Sequence, residues 1–93
     1  MKKITWDKAK AREFQTLLSR GGVTFEDCVI AIENDKILDV LPNPSPKYPH
    51  QQIFVLAIRG YAYVVPYVET ETEIFLKTVF PSRKFNAIYL NEL

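Results

Sequence analysis

The hydrophobic positions in the first third of the chain recur at helical spacing in two successive segments. Lys3–Trp6 reads as a short strand, and Asp7 is a good N-cap for a helix over residues 8–19. Thr24 opens a second helix, because Asp27 three residues later completes a pattern that approximates a capping box. The apolar stripe of this second helix continues to about residue 34 and predicts that one face packs on the core.

From Lys36 onward the pattern changes to alternating and continuous apolar runs that are typical of strands. Four strands are predicted, and four prolines among residues 42–49 make the connection between the first two of them a long loop. Arg59-Gly60 predicts a tight hairpin, and Pro66 implies a bulge or an edge within its strand. The predicted strands are Ile37–Leu41, Gln52–Ile58, Tyr61–Val68 and Ile74–Phe80.

The C-terminal segment returns to helical spacing over Arg83–Leu90. The resulting fold class is α+β, with two N-terminal helices, an antiparallel sheet of about four strands plus a short N-terminal strand, and a C-terminal helix. The strand Gln52–Ile58 is apolar on both faces, which predicts that helices or a partner chain cover it on both sides. Residues 1–93 are expected to form a single domain.

Composition narrows the function classes. The 93 residues carry 12 basic and 11 acidic side chains, so the net charge of +1 gives no bulk attraction to nucleic acids or membranes. Hydrophobic residues at 47% are enough to fill a core. The single Cys28, the missing signal peptide and the missing membrane segment predict a soluble, cytoplasmic protein without a membrane partner. Neither a phosphate loop nor a histidine cluster is present, so no cofactor and no metal are expected.

A cluster of cations stands out near the C-terminus. Lys77 is predicted in mid-strand, while Arg83 and Lys84 fall in the first turn of the last helix, where positive charge opposes the helix dipole. Cations placed at a cost to stability favour a phosphate-binding corner made with the backbone N–H groups of the helix start. The alternative is that all three are ordinary solvated residues. Ser82, just before the helix, is better read as an N-cap than as a nucleophile.

Further RNA contacts are possible in the C-terminal half, which is locally basic. Lys47, His50 and Arg59 contribute to that charge. The aromatic side chains of Tyr61, Tyr63 and Tyr67 share one face of their strand and offer stacking platforms beside the cations. An aromatic run in a strand is also typical of a hydrophobic core, and this second interpretation is the commoner one.

Five segments together resemble the BrnT-like toxins of bacterial type II toxin–antitoxin pairs. They are Ile4–Asp7, Gly22–Asp27, Tyr63–Tyr67, Phe75–Thr78 and Pro81–Lys84, and the resemblance spans nearly the whole chain. It implies a RelE-like fold, a metal-independent endoribonuclease activity on mRNA and a partner antitoxin. The chain departs from the family pattern at Gly21, where members often carry histidine, so no role is carried over for that residue.

The resemblance implies that a ribose 2′-hydroxyl attacks its own 3′-phosphate, which requires charge neutralisation and two proton transfers. Arg83 is expected to clamp the phosphate bidentately and Lys84 to add charge. Lys77, flanked by apolar residues, is the candidate for proton transfer, together with Tyr67 near Arg83. His50 is a candidate acid or RNA contact.

Two other function classes remain open from the sequence. A non-catalytic module would use the same basic corner to hold RNA or an acidic protein segment without cleaving RNA. A purely structural interaction protein would tolerate charge reversal at Arg83. The resemblance also leaves the assembly open between a homodimer and a toxin–antitoxin heteromer.

Overall fold

The computed structural model describes residues 2–16 and 22–90, with the backbone alone for residues 13–16. Within these ranges it contains three helices and six strands. In chain order they are β1 (Lys3–Trp6), α1 (Lys8–Thr16), α2 (Phe25–Glu33), β2 (Ile37–Pro42), β3 (Gln52–Ile58), β4 (Tyr61–Glu69), β5 (Glu73–Leu76), β6 (Phe80–Pro81) and α3 (Arg83–Tyr89). The predicted end of the first helix at residues 17–19, and Gly21 after it, lie outside the described residues.

The starts of the first two helices are set by side-chain caps, as the sequence predicts. The Asp7 carboxylate accepts the backbone N–H of Ala9 at 2.8 Å. Thr24 and Asp27 form a complete capping box, in which each side chain accepts the other residue's backbone N–H, at 3.2 and 3.0 Å. Among the described residues, none of the helices is long and apolar enough to cross a membrane.

The six strands form one mixed sheet in the order β1-β5-β4-β3-β2, and β6 pairs with β4 beyond the end of β5. The expectation of a purely antiparallel sheet is wrong at one edge, because β1 runs parallel to β5, with Lys3 opposite Glu73 and Trp6 opposite Leu76. This pairing joins segments about seventy residues apart and leaves no local signal in the sequence. The fold is therefore α+β with a mixed sheet, and its helices are not grouped at the N-terminus, since α3 follows the last strand.

A break in the sheet lies opposite Pro66, where the sequence predicts a bulge or an edge. The β5 ladder ends with Tyr67 opposite Leu76, and the β6 ladder begins with Val64 opposite Phe80, one residue out of register. Because Pro66 has no N–H, it cannot complete the next hydrogen-bonded pair. The single strand predicted over Ile74–Phe80 is thus wrong, since residues 77–79 form an irregular connection between two short strands.

The hydrophobic core lies between α2 and one face of the sheet. Phe25 and Cys28 of α2 are fully buried there, and Trp6 stacks on Phe25 with ring centroids 5.7 Å apart. Successive β3 residues are buried on both faces by the chain itself, so the predicted double cover is confirmed without a partner chain. The buried residues of the main core are Val23, Phe25, Cys28, Ala31, Phe54, Leu56, Ile58, Tyr63, Val65, Tyr67 and Leu76.

Candidate functional site

A cavity of about 430 Å³ lies on the face of the sheet opposite the main core. Its floor is apolar, and its walls are the loop of residues 43–51, the connection after β5 and the start of α3. Alternation along the strands places the floor residues on this face, because their neighbours point into the core. The lining residues are Lys10, Asn43, Pro44, Ser45, Tyr48, Gln51, Ile53, Val64, Pro66, Lys77, Thr78, Phe80, Ser82 and Phe85.

The loop wall is held in shape by hydrogen bonds at its neck and inside it. Asn43 donates its backbone N–H to the Gln51 carbonyl at 3.0 Å, and its side-chain amide donates to Gln51 Oε1 at 3.2 Å. Within the loop, the Tyr48 backbone N–H donates to the Ser45 carbonyl at 3.1 Å. The loop is therefore preorganised, and it presents Tyr48 with half of its surface exposed.

The opposite wall begins at the break in the sheet. Lys77 donates its backbone N–H to the Pro66 carbonyl at 2.8 Å and then leaves the strand. Its ammonium nitrogen lies 5.2 Å from the centroid of the Phe75 ring, an arrangement typical of a cation–π contact. The predicted mid-strand position of Lys77 is wrong, and its side chain is exposed rather than desolvated by apolar neighbours. Lys77 nevertheless lines the cavity, because Leu76 before it points into the core and alternation places Lys77 on the opposite face.

The cavity has a positive character. Lys10 from α1 joins Lys77 in the lining, and none of the described lining residues is an aspartate or a glutamate. Exposed aromatic surface accompanies the cations, since Tyr48 and Phe80 are 50% and 44% exposed. Sequence reasoning missed Lys10, Tyr48 and Phe80 as site residues. For Lys10 no signal was available, because only the folded chain brings α1 beside the connection that follows β5.

The predicted phosphate-binding corner at α3 is only partly realised. Arg83 and Lys84 are exposed and do not line the cavity, although their sequence neighbours Ser82 and Phe85 do. The Ser82 hydroxyl accepts the Phe85 backbone N–H at 3.2 Å, so Ser82 is the N-cap that the sequence favours. That N–H is consequently not available to a phosphate. Lys77 and Lys10 both line the cavity, and Arg83 does not.

Two of the three predicted stacking platforms belong to the core. Tyr63 and Tyr67 are only 8% and 3% exposed, and Tyr67 stacks on Phe54 with centroids 4.1 Å apart. The Tyr67 hydroxyl donates to Gln52 Oε1 at 3.0 Å, and burial and then the charge of Glu69 raise the pKa of Tyr67 above its usual value. RNA stacking on Tyr63 and Tyr67 is therefore wrong, because both rings are shielded from solvent, and Tyr67, the candidate for proton transfer, lies outside the cavity lining.

The remaining predicted contacts are spread over two regions. Tyr61 is partly buried and packs edge-on against Tyr63, with centroids 6.1 Å apart. Arg59 occupies the β3–β4 hairpin with a positive φ of 54°, and its guanidinium lies 3.4 Å from an Asp27 carboxylate oxygen. Both Arg59 and Asp27 line a second, shallower cavity, which shares no described residue with the first. Tyr61 and Arg59 are thus not brought to the Lys77 cavity.

Lys47 and His50 lie on the loop that walls the cavity, and both are exposed. Neither is a lining residue, so each is a candidate for contacts at the rim. Among the described residues there is no group of three or more histidine, cysteine or acidic side chains placed to hold a metal ion. The one cysteine is buried in the core, and burial, followed by the charges of Asp27 and Glu26, raises the pKa of Cys28 to about 12.

Comparisons with known proteins supply no family for this chain. None of the protein-family models matches it, no curated protein matches it, and no solved structure matches it.

Proposed function

We propose that the chain is the toxin of a type II toxin–antitoxin pair, with a RelE-like fold, and that it cleaves RNA without a metal ion. The observation that carries this proposal is the cavity lined by Lys10 and Lys77 with no acidic residue among its described lining. A polyanion is attracted to such a site, and the exposed rings of Tyr48 and Phe80 offer surface to unpaired bases.

The proposed reaction is an attack of the ribose 2′-oxygen on the adjacent phosphorus. The 2′-oxygen–phosphorus bond forms, the bond from phosphorus to the 5′-oxygen breaks, and a 2′,3′-cyclic phosphate and a 5′-hydroxyl result. Solvent water accepts the proton of the 2′-hydroxyl and another water donates one to the departing 5′-oxygen, so the reaction as a whole neither consumes nor releases protons. Lys10 and Lys77 neutralise the charge that grows on the phosphate oxygens. Arg83 and Lys84, exposed between Ser82 and Phe85, bind the neighbouring phosphates of the strand.

A second candidate function is RNA binding without cleavage. It is favoured by one observation, namely that no histidine or carboxylate is found among the described residues that line the cavity. Acid–base catalysis commonly uses such groups because their proton affinities are close to neutral pH. His50 lies on the loop that walls the cavity. Its substitution tests whether the imidazole transfers a proton or only contacts RNA at the rim of the cavity.

The proposal includes an antitoxin partner that covers exposed apolar side chains. Ile30, Ile37, Val40 and Ile88 are each more than a third exposed. They lie on α2, on the edge strand β2 and on α3, outside the double-faced burial of β3. Apolar residues at a strand edge are suited to pairing with another chain. Co-purification of the chain with the product of the adjacent open reading frame tests this part of the proposal.

Cleavage is tested on a single-stranded RNA that carries a label at its 5′ end, in buffer with EDTA. The expected products end in a 2′,3′-cyclic phosphate, which mass spectrometry identifies. Lys77→Ala is expected to lower the cleavage rate roughly 10²–10³-fold, the range for loss of a group that stabilises transition-state charge. Arg83→Ala is expected to lower cleavage by weakening the binding of the RNA strand, and to reduce the salt dependence of that binding. Lys8→Ala is the matched control, because Lys8 is an exposed lysine of α1 outside the lining and should leave the rate unchanged.

The two candidate functions separate in this assay. RNA that binds with Lys77-dependent affinity and stays intact supports the binding module and rejects the ribonuclease. Cleavage that appears only with added magnesium rejects the proposed mechanism. Equal cleavage by the wild type and by the folded Lys77→Ala and Arg83→Ala variants rejects the assigned residues.

A further inference from the structure

We propose that the cavity is a binding site for a single nucleotide unit, with the base against Tyr48 and Phe80 and the phosphate on Lys10 and Lys77. Its volume of about 430 Å³ is near the lower end of the roughly 300–1,000 Å³ found for small-molecule sites. A nucleotide fits this scale, whereas a double helix does not. The assignment rests on the proposed function, which identifies RNA as the natural source of the nucleotide.

The base position follows from the aromatic side chains. Tyr48 and Phe80 come from opposite walls of the cavity, and about half of each side chain is open to solvent. Tyr48 and Phe80 thus expose ring surface, whereas Ile53 and Val64 in the floor are themselves buried. A flat, apolar ring system with a polar rim is the ligand shape that covers this surface best.

The phosphate position follows from the charges. Lys10 and Lys77 supply two ammonium groups, and no carboxylate among the described lining residues competes for them. The Lys77 ammonium is held beside the Phe75 ring, so it is partly ordered before a ligand arrives. Charge complementarity therefore selects a ligand with an anionic group, and the exposed rings in the same lining select one that also carries a flat ring.

The polar groups of the loop neck add a means of reading the base edge. Gln51 Oε1 accepts the Asn43 side-chain amide at 3.2 Å, which directs the Gln51 amide N–H donors away from Asn43. The Asn43 oxygen is itself engaged by the Ser45 backbone N–H at 2.9 Å. Gln51 lines the cavity, and we assign its amide N–H groups the role of donating to a carbonyl oxygen or a ring nitrogen of the base.

The test is an NMR titration of the ¹⁵N-labelled full chain with three probes. These are a nucleoside 5′-monophosphate, a single-stranded trinucleotide and inorganic phosphate, each added to the wild type and to the variants Tyr48→Ala, Lys10→Ala and Lys77→Ala. Tyr48→Ala is expected to weaken binding roughly tenfold, as loss of a stacking ring does. Each lysine variant is expected to weaken binding and to reduce its salt dependence. The control is Lys8→Ala, two residues from Lys10 on the same helix.

The probes also distinguish the source of the nucleotide. If Tyr48→Ala and Lys77→Ala both weaken the binding of the monophosphate, the site is supported and a free nucleotide is sufficient as its ligand. Binding of the trinucleotide alone, with the same two dependences, supports the site with RNA as the source. Inorganic phosphate that binds as tightly as the nucleotides, or nucleotide binding unaffected by Tyr48→Ala and Lys77→Ala, overturns the assignment.

The failure of this inference is distinguishable from failure of the proposed function. Lys77-dependent RNA cleavage that persists unchanged in Tyr48→Ala, together with no monophosphate-dependent shifts in the cavity, overturns the nucleotide site and leaves the ribonuclease standing. Nucleotide binding in the cavity of a chain that does not cleave RNA supports the nucleotide site and overturns the ribonuclease. The tested side chains of Tyr48 and Lys77 are exposed, so their removal is not expected to unfold the chain.

Discussion

The backbone of Lys77 donates to the carbonyl of Pro66 at 2.8 Å, and Pro66 cannot return the hydrogen bond. In an antiparallel pair at this register each residue would donate to the other. The missing N–H coincides with the end of the β5 ladder at Leu76, after which residues 77–79 form the irregular connection. Lys77 is the first residue of that connection, and it lines the cavity.

The first prediction concerns this pair. Pro66→Ala supplies the missing N–H and is expected to extend the β5 ladder to residue 77. The new hydrogen bond contributes about 0.5–1.5 kcal/mol. The loss of the proline, which restricts the unfolded chain, removes about 0.4–1 kcal/mol. The free energy of unfolding is expected to stay nearly constant, while hydrogen exchange shows a newly protected amide at position 66. An unprotected amide there would mean that the break has another cause.

The second prediction concerns the hydrogen bond from the Tyr89 hydroxyl to the Asp39 carboxylate, which ties the last turn of α3 to β2. This hydrogen bond, then burial and the charge of Asp39, raises the pKa of Tyr89 above its usual value of 10.0. The folded state therefore holds the phenol proton more tightly than the unfolded state does. The resulting stability is fully present below pH 10 and is lost as pH rises through the folded-state pKa.

Urea unfolding of the wild type and Tyr89→Phe, measured at neutral pH and above pH 10, checks this sign. The wild type should exceed Tyr89→Phe in stability at neutral pH, and the difference should shrink at the alkaline end. Absorbance at 295 nm of the two proteins gives the titration of Tyr89 directly. A difference that grows with pH would contradict the proposed linkage.

The third prediction concerns Cys28, which is fully buried and has its pKa raised to about 12. Since the thiolate is the reactive form, the native protein is expected to resist an aromatic disulfide reagent at pH 8 and to react fully once unfolded. Cys28→Ser buries a hydroxyl in the core and should lower the free energy of unfolding by about 1–3 kcal/mol. Cys28→Ala is the matched variant without a polar atom, and it should lose less.

The fourth prediction concerns the contact between α2 and the sheet. Phe25 is 1% exposed and stacks on Trp6, so Phe25→Ala is expected to lower the free energy of unfolding by about 3–5 kcal/mol. Fluorescence of Trp6, the single tryptophan, reports the urea transition. Ile88→Ala is the control, because Ile88 is 58% exposed and its loss should change stability by less than about 0.5 kcal/mol.

Features with local causes could be predicted from the sequence. The capping box of Thr24 and Asp27, the Arg59-Gly60 hairpin and the break at Pro66 each depend on a few adjacent residues and are confirmed. The parallel pairing of β1 with β5 could not be predicted, because it depends on how distant segments meet.

The residues of the candidate site also divide into those that the local sequence indicates and those that only the folded chain brings to the cavity. Lys77 was found from its unusual setting, although its strand was misplaced. Lys10 enters the cavity from a helix more than sixty residues earlier, and nothing near it in the sequence marks it. The face that each tyrosine of β4 occupies depends on where α2 packs, which strand periodicity alone does not give. The buried positions of Tyr63 and Tyr67 follow from that packing.

The carboxylate of Asp39 has a second consequence, for the behaviour of the chain at high concentration. Its other oxygen accepts the backbone N–H of Val40 at 2.8 Å. Since Asn43 donates inward to Gln51, alternation along β2 places the Val40 N–H on the outer rim of the sheet. An occupied donor cannot bind the carbonyl of an added strand, so the Val40 N–H contributes nothing to pairing between chains at this rim. One side chain thus both holds the last turn of α3 on β2 and removes one donor from the edge of the sheet.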